Sequence, residues 1–269
     1  MRLGRELGSV VAAVVAVRPS MNALTLAAAQ YVATPRDVSR NVRRHVRLAS
    51  LAADHGARLV VFPELSLISY DVDVTRADAI SPDDARLAPL ADTARNRDIV
   101  IVAGAPIIAN DALCIGAIIH HPDGRATTYA KEYPAASEQR TFAPGSGGAP
   151  LVFDDEVVGL AICADITHPE HARDTARRGA TVYAAGSLFS VEDYPTDAAH
   201  LQRRAADHAM LVLLANYGAP AGGYVSAGQS AVWANTGDLL ASAPREGEAL
   251  VLAVRTPTGW TAEVIDCPG

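Results

Sequence analysis

The sequence predicts an α/β fold from two observations. Short apolar runs that are rich in β-branched residues alternate with longer segments in which apolar residues recur at helical spacing. No internal repeat, low-complexity tract or linker-like stretch divides the 269 residues. With 49% hydrophobic residues, a chain of this length can bury about three quarters of its unfolded surface. We therefore expect residues 21–269 to form a single domain.

The first half of the chain predicts two helices among four strands. A strand at residues 24–30 precedes the sequence Thr34-Pro35-Arg36-Asp37, in which threonine suits a helix N-cap, proline the first helical position and aspartate the third. Apolar residues then recur at helical spacing until Gly56, which ends the helix. The other elements predicted here are strands at residues 59–62, 99–105 and 112–120 and a helix at residues 83–96.

The second half repeats this alternation of strands and helices. A buried strand is predicted where an apolar run ends at a cysteine, and a helix is predicted to begin at Pro169 and to end before Gly179. The predicted strands of this half are residues 156–162, 181–185, 210–216, 228–233 and 249–254, and the predicted helices are residues 169–178 and 194–208.

Residues 1–20 are interpreted as an N-terminal extension that is poorly ordered. Arg2 and Arg5 before the apolar run at residues 10–17 resemble the front of a signal peptide, which is the alternative. The sequence Val17-Arg18-Pro19-Ser20 is a poor cleavage site, however, because it lacks the usual small residues. The apolar run is also far shorter than the ~20 residues that a membrane helix needs, so we expect no membrane span.

Charge and cysteine content indicate the kind of partner and compartment. The chain has 23 Lys and Arg against 30 Asp and Glu, a net charge of −7, and no basic stripe that would favour nucleic acid. A small neutral or cationic ligand fits better. Three cysteines are too few for a disulfide framework, which favours a reducing compartment such as the cytoplasm. We expect Cys114 to lie in the core and Cys267 to be exposed and inert.

Three chemically reactive side chains follow predicted strands. Glu64 comes directly after the apolar run at residues 60–62, Lys131 follows a short β-prone segment, and Cys163 ends a buried strand. Catalytic groups in α/β proteins tend to lie where strands end and loops begin. Taken singly, each residue has an ordinary explanation as a solvated acid, a surface charge or a small core residue. Together, an acid, an ammonium group and a thiol indicate nucleophilic catalysis.

The motifs around these residues appear in a fixed order along most of the chain. They are Phe62-Pro63-Glu64-Leu65; Lys131 followed by Glu138, Phe142, Pro144 and Gly145; Cys163-x-Asp165 with Pro169-Glu170; and Ala215-Asn216 followed by Gly228-x-Ser230 and Asn235-x-Gly237. This order resembles the nitrilase or carbon-nitrogen hydrolase superfamily, in its amidase-like branch. The resemblance covers residues 24–254, which is nearly the whole chain.

The resemblance implies a fold, an assembly and a set of roles. It implies a four-layer α-β-β-α sandwich whose monomers pair through helices into a homodimer or higher oligomer, with no cofactor and no metal. Glu64 would be the general base, Lys131 would stabilise the oxyanion, and Cys163 would be the nucleophile. Glu138 would be a second acid that positions Lys131 and the substrate. Asp165 is interpreted as bracing the turn after the nucleophile.

The chemistry of the residues agrees with these roles. A free thiol has a pKa near ~8.5, so it needs a neighbouring base to attack at neutral pH. Glu64 can be that base if burial beside Phe62 and Leu65 raises its pKa. Lys131 and the backbone N–H that follows Cys163 can then stabilise the oxyanion.

The chain departs from the family pattern after the thiol. Ala164 stands where the family often has an aromatic residue, and Thr167-His168 stands where Arg-Phe is usual. Thr167 and Glu170 retain the spacing of a capping box for the next helix. These differences affect the prediction of the substrate more than the prediction of the reaction type.

The sequence therefore predicts a hydrolase that cleaves a small linear amide to an acid and ammonia or an amine through a thioester. A nitrile-cleaving or acyl-transferring enzyme with the same three residues is the alternative, followed by a non-catalytic binding protein. The candidate substrate-binding residues are Ala164, Tyr70, Tyr133, Phe189 and Tyr194. The histidines at positions 120, 121, 168 and 171 lack ligand spacing for a metal and are expected to be solvated.

Overall fold

The computed structural model describes residues 23–267, in which two mixed β-sheets pack face to face and helices cover both outer faces. This arrangement confirms the predicted four-layer α-β-β-α sandwich. The extension expected at residues 1–20 lies outside the described residues. No helix within the described part of the chain is long and apolar enough to cross a membrane.

The described residues contain thirteen strands and four α-helices. The strands are β1 (Thr25–Gln30), β2 (Ala57–Val61), β3 (Val100–Ala109), β4 (Ala112–His120), β5 (Ala126–Ala130), β6 (Leu151–Phe153), β7 (Glu156–Ile162), β8 (Val182–Gly186), β9 (Leu211–Ala215), β10 (Ala231–Trp233), β11 (Leu239–Ser242), β12 (Ala249–Thr256) and β13 (Gly259–Asp266). The helices are α1 (Val38–Asp54), α2 (Ala88–Arg97), α3 (Pro169–Arg177) and α4 (Tyr194–His208).

Each sheet has a parallel centre that carries the functional loops. The seven-stranded sheet has the order β13-β12-β1-β2-β3-β4-β5, and the six-stranded sheet has the order β11-β10-β9-β8-β7-β6. Strands β1, β2 and β3 run parallel, as do β7, β8 and β9. Helices α1 and α2 pack on the first sheet, and α4 packs on the second. Because β2 faces β8 across the core, the loops that follow strands of both sheets meet at one end of the sandwich.

Helix α1 begins three residues later than predicted. Its N-cap is Asp37, whose side chain accepts a hydrogen bond from the Arg40 backbone N–H, and not Thr34. The reason is tertiary: the Asn41 side chain hydrogen-bonds both the N–H and the C=O of Thr34. Arg36 then adopts a left-handed backbone with φ +55°, which a helix cannot include.

The helix predicted at residues 83–96 divides into a 3-10 turn and helix α2. The turn spans Ala85–Leu87, and α2 starts at Ala88. Pro89 lies in the first turn of α2, where its missing N–H has no intrahelical partner to lose. An α-helix that started at Asp83 would have placed this proline in its interior.

Three strands were not predicted, and all three form sheet edges; the fourth edge strand, β5, was expected only as the β-prone segment before Lys131. The three unpredicted strands are β6, β11 and β13. An edge strand pairs on one side only, and β13 keeps no residue fully buried along its length. Without a continuous apolar run, such strands depend on the partner strand for their register, so their own sequence carries a weak signal.

Two of the cysteines lie in the packed interior. Cys114 is buried in β4, as predicted. Cys267 was expected to be exposed, but it is only 3% exposed, and its thiol lies 3.4 Å from the Ile265 carbonyl oxygen. Its backbone N–H donates to the carbonyl oxygen of Glu248, which draws the chain after β13 against the sheet.

Candidate active site

Glu64 lies between the two sheets because glycines of both sheets make room for its backbone. A Cβ on Gly104 would lie 2.3 Å from the Pro63 carbonyl oxygen, and one on Gly186 would lie 2.5 Å from the Phe62 carbonyl oxygen. The Tyr217 hydroxyl donates to the Glu64 carbonyl oxygen at 2.6 Å. The Glu64 side chain is buried as a result. The peptide that carries the acid is therefore fixed from three sides.

Lys131 is a fully buried ammonium between two carboxylates. Its Nζ lies 2.6 Å from Glu64 Oε1 and 2.7 Å from Glu138 Oε2. Its backbone continues from β5, with the N–H donating to the Ile115 carbonyl oxygen at 2.9 Å. The Gly145 N–H donates to the Lys131 carbonyl oxygen at 2.6 Å. A buried cation of this kind requires charged partners in good geometry, which the two glutamates supply.

Glu138 is held by contacts on both of its oxygens. Besides Lys131, Oε2 accepts a hydrogen bond from the Ala135 N–H at 2.7 Å, and Oε1 accepts one from the Tyr70 hydroxyl at 2.9 Å. Tyr70 belongs to the loop that follows Glu64, so this bond joins the loops after β2 and β5. The structure thus brings together Glu64, Lys131 and Glu138, as the sequence predicted.

Cys163 follows β7 at a sharp turn into a 3-10 helix, Cys163–Thr167. Its φ of +44° is uncommon for a residue with a side chain and marks strain that the surrounding structure must hold. Part of the residue is accessible to solvent, and its sulfur lies 3.9 Å from the Leu188 carbonyl oxygen. The thiol therefore projects from a constrained turn at the same end of the sandwich as Glu64.

Burial controls the ionisation of the acid and the thiol. It raises the pKa of Glu64 to about 7, together with the charge of Glu138, against the lowering effects of Lys131 and of hydrogen bonding by Cys163. The pKa of Cys163 lies well above its usual range because of burial and the Glu64 charge, and Lys131 only partly offsets this. At neutral pH the thiol is protonated while Glu64 titrates.

Lys131 stays charged under the same conditions. Burial alone would lower the pKa of Lys131, but the negative charges of Glu64 and Glu138, and that of Cys163 when its thiol ionises, raise it overall. Within the described residues, Glu64 Oε2 is a buried oxygen that no donor reaches in hydrogen-bond geometry, although the nearby thiol does lower the pKa of the acid. The site thus combines a fixed cation, a neutral thiol and one free carboxylate oxygen.

A cavity of about 370 Å³ adjoins this cluster through Tyr70. Its walls come from the loops after β1, β2, β5 and β9, and they include Ile68, Val72 and Tyr224. The Tyr70 and Tyr224 rings meet edge to face, with centroids 5.9 Å apart. The cavity is therefore bordered by the residue that contacts Glu138, and its walls combine apolar and aromatic side chains with the polar side chains of two serines and two aspartates.

The remaining candidate substrate-binding residues are spread around the thiol. The Tyr133 ring stacks on His168 with centroids 4.0 Å apart, and Ala164 is partly exposed beside Cys163. Phe189 is buried in an apolar cluster against which Cys163 also packs. The Tyr194 hydroxyl donates to the Gln229 carbonyl oxygen at 2.8 Å. Their role in binding substrate stays a prediction.

Two details of the sequence interpretation are wrong. His120 and His171 are buried and not solvated. Thr167 does not cap α3: its hydroxyl donates to the Ala164 carbonyl oxygen at 2.8 Å, inside the preceding turn, and the N-cap position is His168. Across residues 23–267, no group of His, Cys, Asp and Glu side chains is arranged to hold a metal ion.

The sequence motifs did not predict which residues Asp165 and its neighbours contact. Asp165 accepts hydrogen bonds from backbone N–H groups on both sides of the cleft, which agrees with its predicted bracing of the turn. Its contact with Tyr129 joins a part of the chain 36 residues away. The one sequence feature that pointed to this contact was the position of Tyr129 in the β-prone segment before Lys131.

The sequence as a whole matches a known family. A sequence model of the carbon-nitrogen hydrolase family matches residues 25–261, which includes all four residues of the cluster. The chain belongs to the carbon-nitrogen hydrolase family. The predicted membership of the nitrilase superfamily is thereby confirmed.

Relatives with similar sequences include proteins named as amidases. The chain is 28% identical over 214 residues to an (R)-stereoselective amidase from Pseudomonas sp, covering 78% of this chain and 77% of the relative. It is 27% identical over 237 residues to a chloroplastic omega-amidase from Arabidopsis thaliana, covering 81% and 63%. The chain is an amidase-like member of the superfamily.

Solved structures of carbon-nitrogen hydrolases share the fold. A mutant of the amidase from Nesterenkonia sp. AN1 in complex with butyramide aligns with a TM-score of 0.77 at 26% identity, covering 87% of this chain and 91% of that one. A branch 10 member of the nitrilase superfamily from Saccharomyces cerevisiae aligns with a TM-score of 0.79 at 24% identity, covering 88% and 91%. The second match bears on the fold alone.

Proposed function

We propose that this carbon-nitrogen hydrolase cleaves a small linear amide into an acid and ammonia or an amine, through a thioester on Cys163. One observation carries the proposal: a buried ammonium bridges Glu64 and Glu138, Glu64 Oε2 accepts no hydrogen bond from the described residues, and the Cys163 thiol is close enough to lower the pKa of that acid. These groups form a nucleophile, a base and an electrophilic cation in one cleft.

Attack begins with proton transfer from the Cys163 thiol to Glu64 Oε2 as sulfur bonds to the amide carbon. The carbonyl oxygen becomes an oxyanion, which Lys131 Nζ and the Ala164 backbone N–H stabilise. With Glu64 ionised, the two glutamates and the lysine carry a net charge of −1. The proton brings this cluster to neutrality as negative charge moves to the substrate oxygen, which favours the step in a buried site.

The tetrahedral intermediate then collapses with loss of the nitrogen group. Glu64 returns its proton to the leaving nitrogen as the carbon–nitrogen bond breaks, which leaves the acyl group on sulfur. The same carboxylate next takes a proton from water as the water oxygen attacks the thioester carbon. Collapse of this second intermediate releases the acid, and the proton on Glu64 returns to the Cys163 thiolate.

Glu138 keeps Lys131 in place throughout the cycle. Its Oε2 accepts hydrogen bonds from the lysine and the Ala135 N–H, and its Oε1 accepts one from Tyr70, so both of its oxygens already hold a donor, whereas Glu64 Oε2 holds none among the described residues. We infer that Glu138 orients the ammonium and the substrate amide, while Glu64 alone moves protons. We assign proton transfer to Glu64 because its Oε2 accepts no hydrogen bond from the described residues.

The cavity beside Tyr70 supports a small uncharged substrate. Its apolar and aromatic walls suit a short aliphatic or aromatic substituent of the amide. Its two lining carboxylates are each paired with an arginine, Asp71 with Arg36 at 2.7 Å and Asp73 with Arg140 at 3.5 Å. From the sequence we also propose a homodimer or higher oligomer in the cytoplasm that works without a cofactor.

The test is ammonia release from a panel of simple amides and the matching nitriles. Wild-type protein should release ammonia from amides such as butyramide, and Cys163→Ala should abolish turnover while its circular dichroism stays unchanged. Mass spectrometry after a brief reaction should detect an acyl group on Cys163. Turnover by pure Cys163→Ala protein would refute the proposal, and turnover of nitriles alone would replace it with the alternative reaction.

A further inference from the structure

We propose that His171 is a positioning residue for the cleft. Through Tyr129 it holds Asp165, and Asp165 fixes the turn that carries Cys163 against the segment that carries Lys131. The kinetic part of this proposal rests on the proposed function, and the structural part does not.

Asp165 links the two reactive segments directly. Its Oδ2 accepts a hydrogen bond from the Ile162 N–H at 2.9 Å, next to the nucleophile. Its Oδ1 accepts hydrogen bonds from the N–H groups of Glu132 at 3.1 Å and Tyr133 at 2.9 Å, just after the lysine. The carboxylate is fully buried, so these bonds are shielded from water. One side chain therefore sets the separation of thiol and ammonium.

A chain of hydrogen bonds runs from Tyr183 through His171 and Tyr129 to this carboxylate. The Tyr129 hydroxyl donates to Asp165 Oδ2 at 2.8 Å, since a carboxylate is the strongest acceptor within its reach. His171 Nε2 lies 2.8 Å from the same hydroxyl oxygen and must donate to it, because that hydroxyl hydrogen is already used. His171 Nδ1, 2.8 Å from the Tyr183 hydroxyl, is then the acceptor.

The surroundings of His171 agree with a neutral ring of this tautomer. Burial lowers the pKa of His171, and the charges of Asp165 and Glu132 oppose this only in part. The nearest carboxylate oxygens are Glu132 Oε1 at 3.8 Å and Asp165 Oδ2 at 3.9 Å, outside hydrogen-bond distance of Nε2. With one ring nitrogen donating and the other accepting, no polar atom of the ring is left without a partner.

Replacing the His171 imidazole would remove the middle member of this hydrogen-bond chain. Tyr129 would retain its bond to Asp165 but lose the donor that orients its oxygen, and Tyr183 would lose a buried acceptor. Asp165 could then shift, and the Cys163 turn would shift with it. Small displacements of reacting groups reduce rates by up to about 100-fold.

The experiment compares His171→Leu with His171→Gln and with His120→Leu as a matched control. His120 is also a buried histidine, but it lies in β4, and its Nε2 has no hydrogen-bond partner within the described residues. Two rates are measured for each protein: kcat and KM for an amide, and the second-order rate of Cys163 alkylation by iodoacetamide. Alkylation needs no knowledge of the substrate.

We expect His171→Leu to lower kcat and the alkylation rate by between about 10-fold and about 100-fold, with a KM change below about threefold. His171→Gln, which retains an N–H donor for Tyr129, should recover most of both rates. The control should match wild type. In nitrogen-15 NMR, the imidazole signals that disappear in His171→Gln identify the His171 ring. In wild-type protein these signals should show the Nε2–H tautomer.

Two outcomes overturn the inference. One is equal alkylation rates in His171→Leu and the control, and the other is an Nδ1–H tautomer in the wild-type protein. If wild-type protein cleaves no amide, the proposed function fails, yet the alkylation and NMR measurements still decide the role of His171.

Discussion

At the scale of single residues, the two oxygens of Glu64 have different environments. Oε1 lies 2.6 Å from Lys131, whereas Oε2 is buried and receives no hydrogen bond of good geometry from the described residues. This asymmetry gives the carboxylate an anchor and a free basic atom. Burial raises the pKa of Glu64 to about 7, so the proton can be taken up and returned near neutral pH.

The ionisation of Glu64 should appear in the pH dependence of kcat/KM. The ionised acid is the base, so activity should fall as pH drops through an apparent pKa of about 7. An alkaline limb should lie higher, since burial raises the pKa of the Cys163 thiol. Glu64→Gln should reduce kcat/KM by at least about 1,000-fold and remove the acid limb from the residual activity. An acid limb near 7 that persists in Glu64→Gln would contradict this assignment.

Lys131 should matter for stability as well as for catalysis. Lys131→Met leaves Glu64 and Glu138 buried without a counter-charge, so the free energy of unfolding should fall by about 3–5 kcal/mol. Adding Glu138→Gln should restore part of that loss, because it removes one uncompensated charge. Urea unfolding of the single and double variants measures both effects. A double variant no more stable than Lys131→Met would contradict the electrostatic explanation.

At the scale of elements, each reactive residue is positioned by the strand that precedes it. Glu64 and Cys163 each follow an apolar run that is visible in the sequence, whereas Lys131 follows only a β-prone segment. The three could be predicted because they occur together and in an ordered set of motifs. The edge strands β6, β11 and β13 could not be predicted, because partner strands and not their own composition define them. The start of α1 was wrong for a similar reason, since Asn41 binds Thr34 from within the helix.

The glycine of β3 that faces the Glu64 loop offers a test of strand-based positioning. A Cβ on Gly104 would lie 2.3 Å from the Pro63 carbonyl oxygen and 2.4 Å from the Leu65 nitrogen, both backbone atoms. Gly104→Ala should displace Glu64 and lower kcat at least about tenfold. Gly179→Ala is the control: its φ of +91° makes alanine strained, but its side chain would meet open space.

Unfolding and kinetic measurements together separate displacement from strain. The control variant should lose stability and keep its kcat, whereas Gly104→Ala should lose kcat beyond what its folded fraction explains. Equal kcat values in the two folded variants would show that the β3 glycine does not position the acid.

At the scale of the whole molecule, the cleft exists because loops from both sheets converge. The order of motifs was enough to predict the fold and the four clustered residues. The hydrogen-bond chain to His171 and the cavity beside Tyr70 were beyond sequence reasoning. Their members come from segments far apart in the chain, and only the packing of β5, β8, α3 and the turn after β7, and of four loops, brings them together.

The cavity beside Tyr70 should decide which amides are accepted. Tyr224 borders it and is 43% exposed, so it can be replaced without disturbing the core. Tyr224→Trp should narrow the cavity and lower kcat/KM for a longer amide by about 10-fold or more, while kcat/KM for acetamide changes less than about twofold. Tyr224→Ala should shift the preference toward bulkier amides.

A matched exposed residue far from the cleft tests whether this shift is specific. Leu239 on the edge strand β11 is 56% exposed, and Leu239→Ala should leave the ratio of the two kcat/KM values unchanged. A change confined to Tyr224 variants, and larger for longer amides, would mean that the substituent occupies this cavity. If Tyr224→Trp lowers kcat/KM equally for acetamide and longer amides, the substituent lies elsewhere, because a filled subsite penalises only the substrates that reach it.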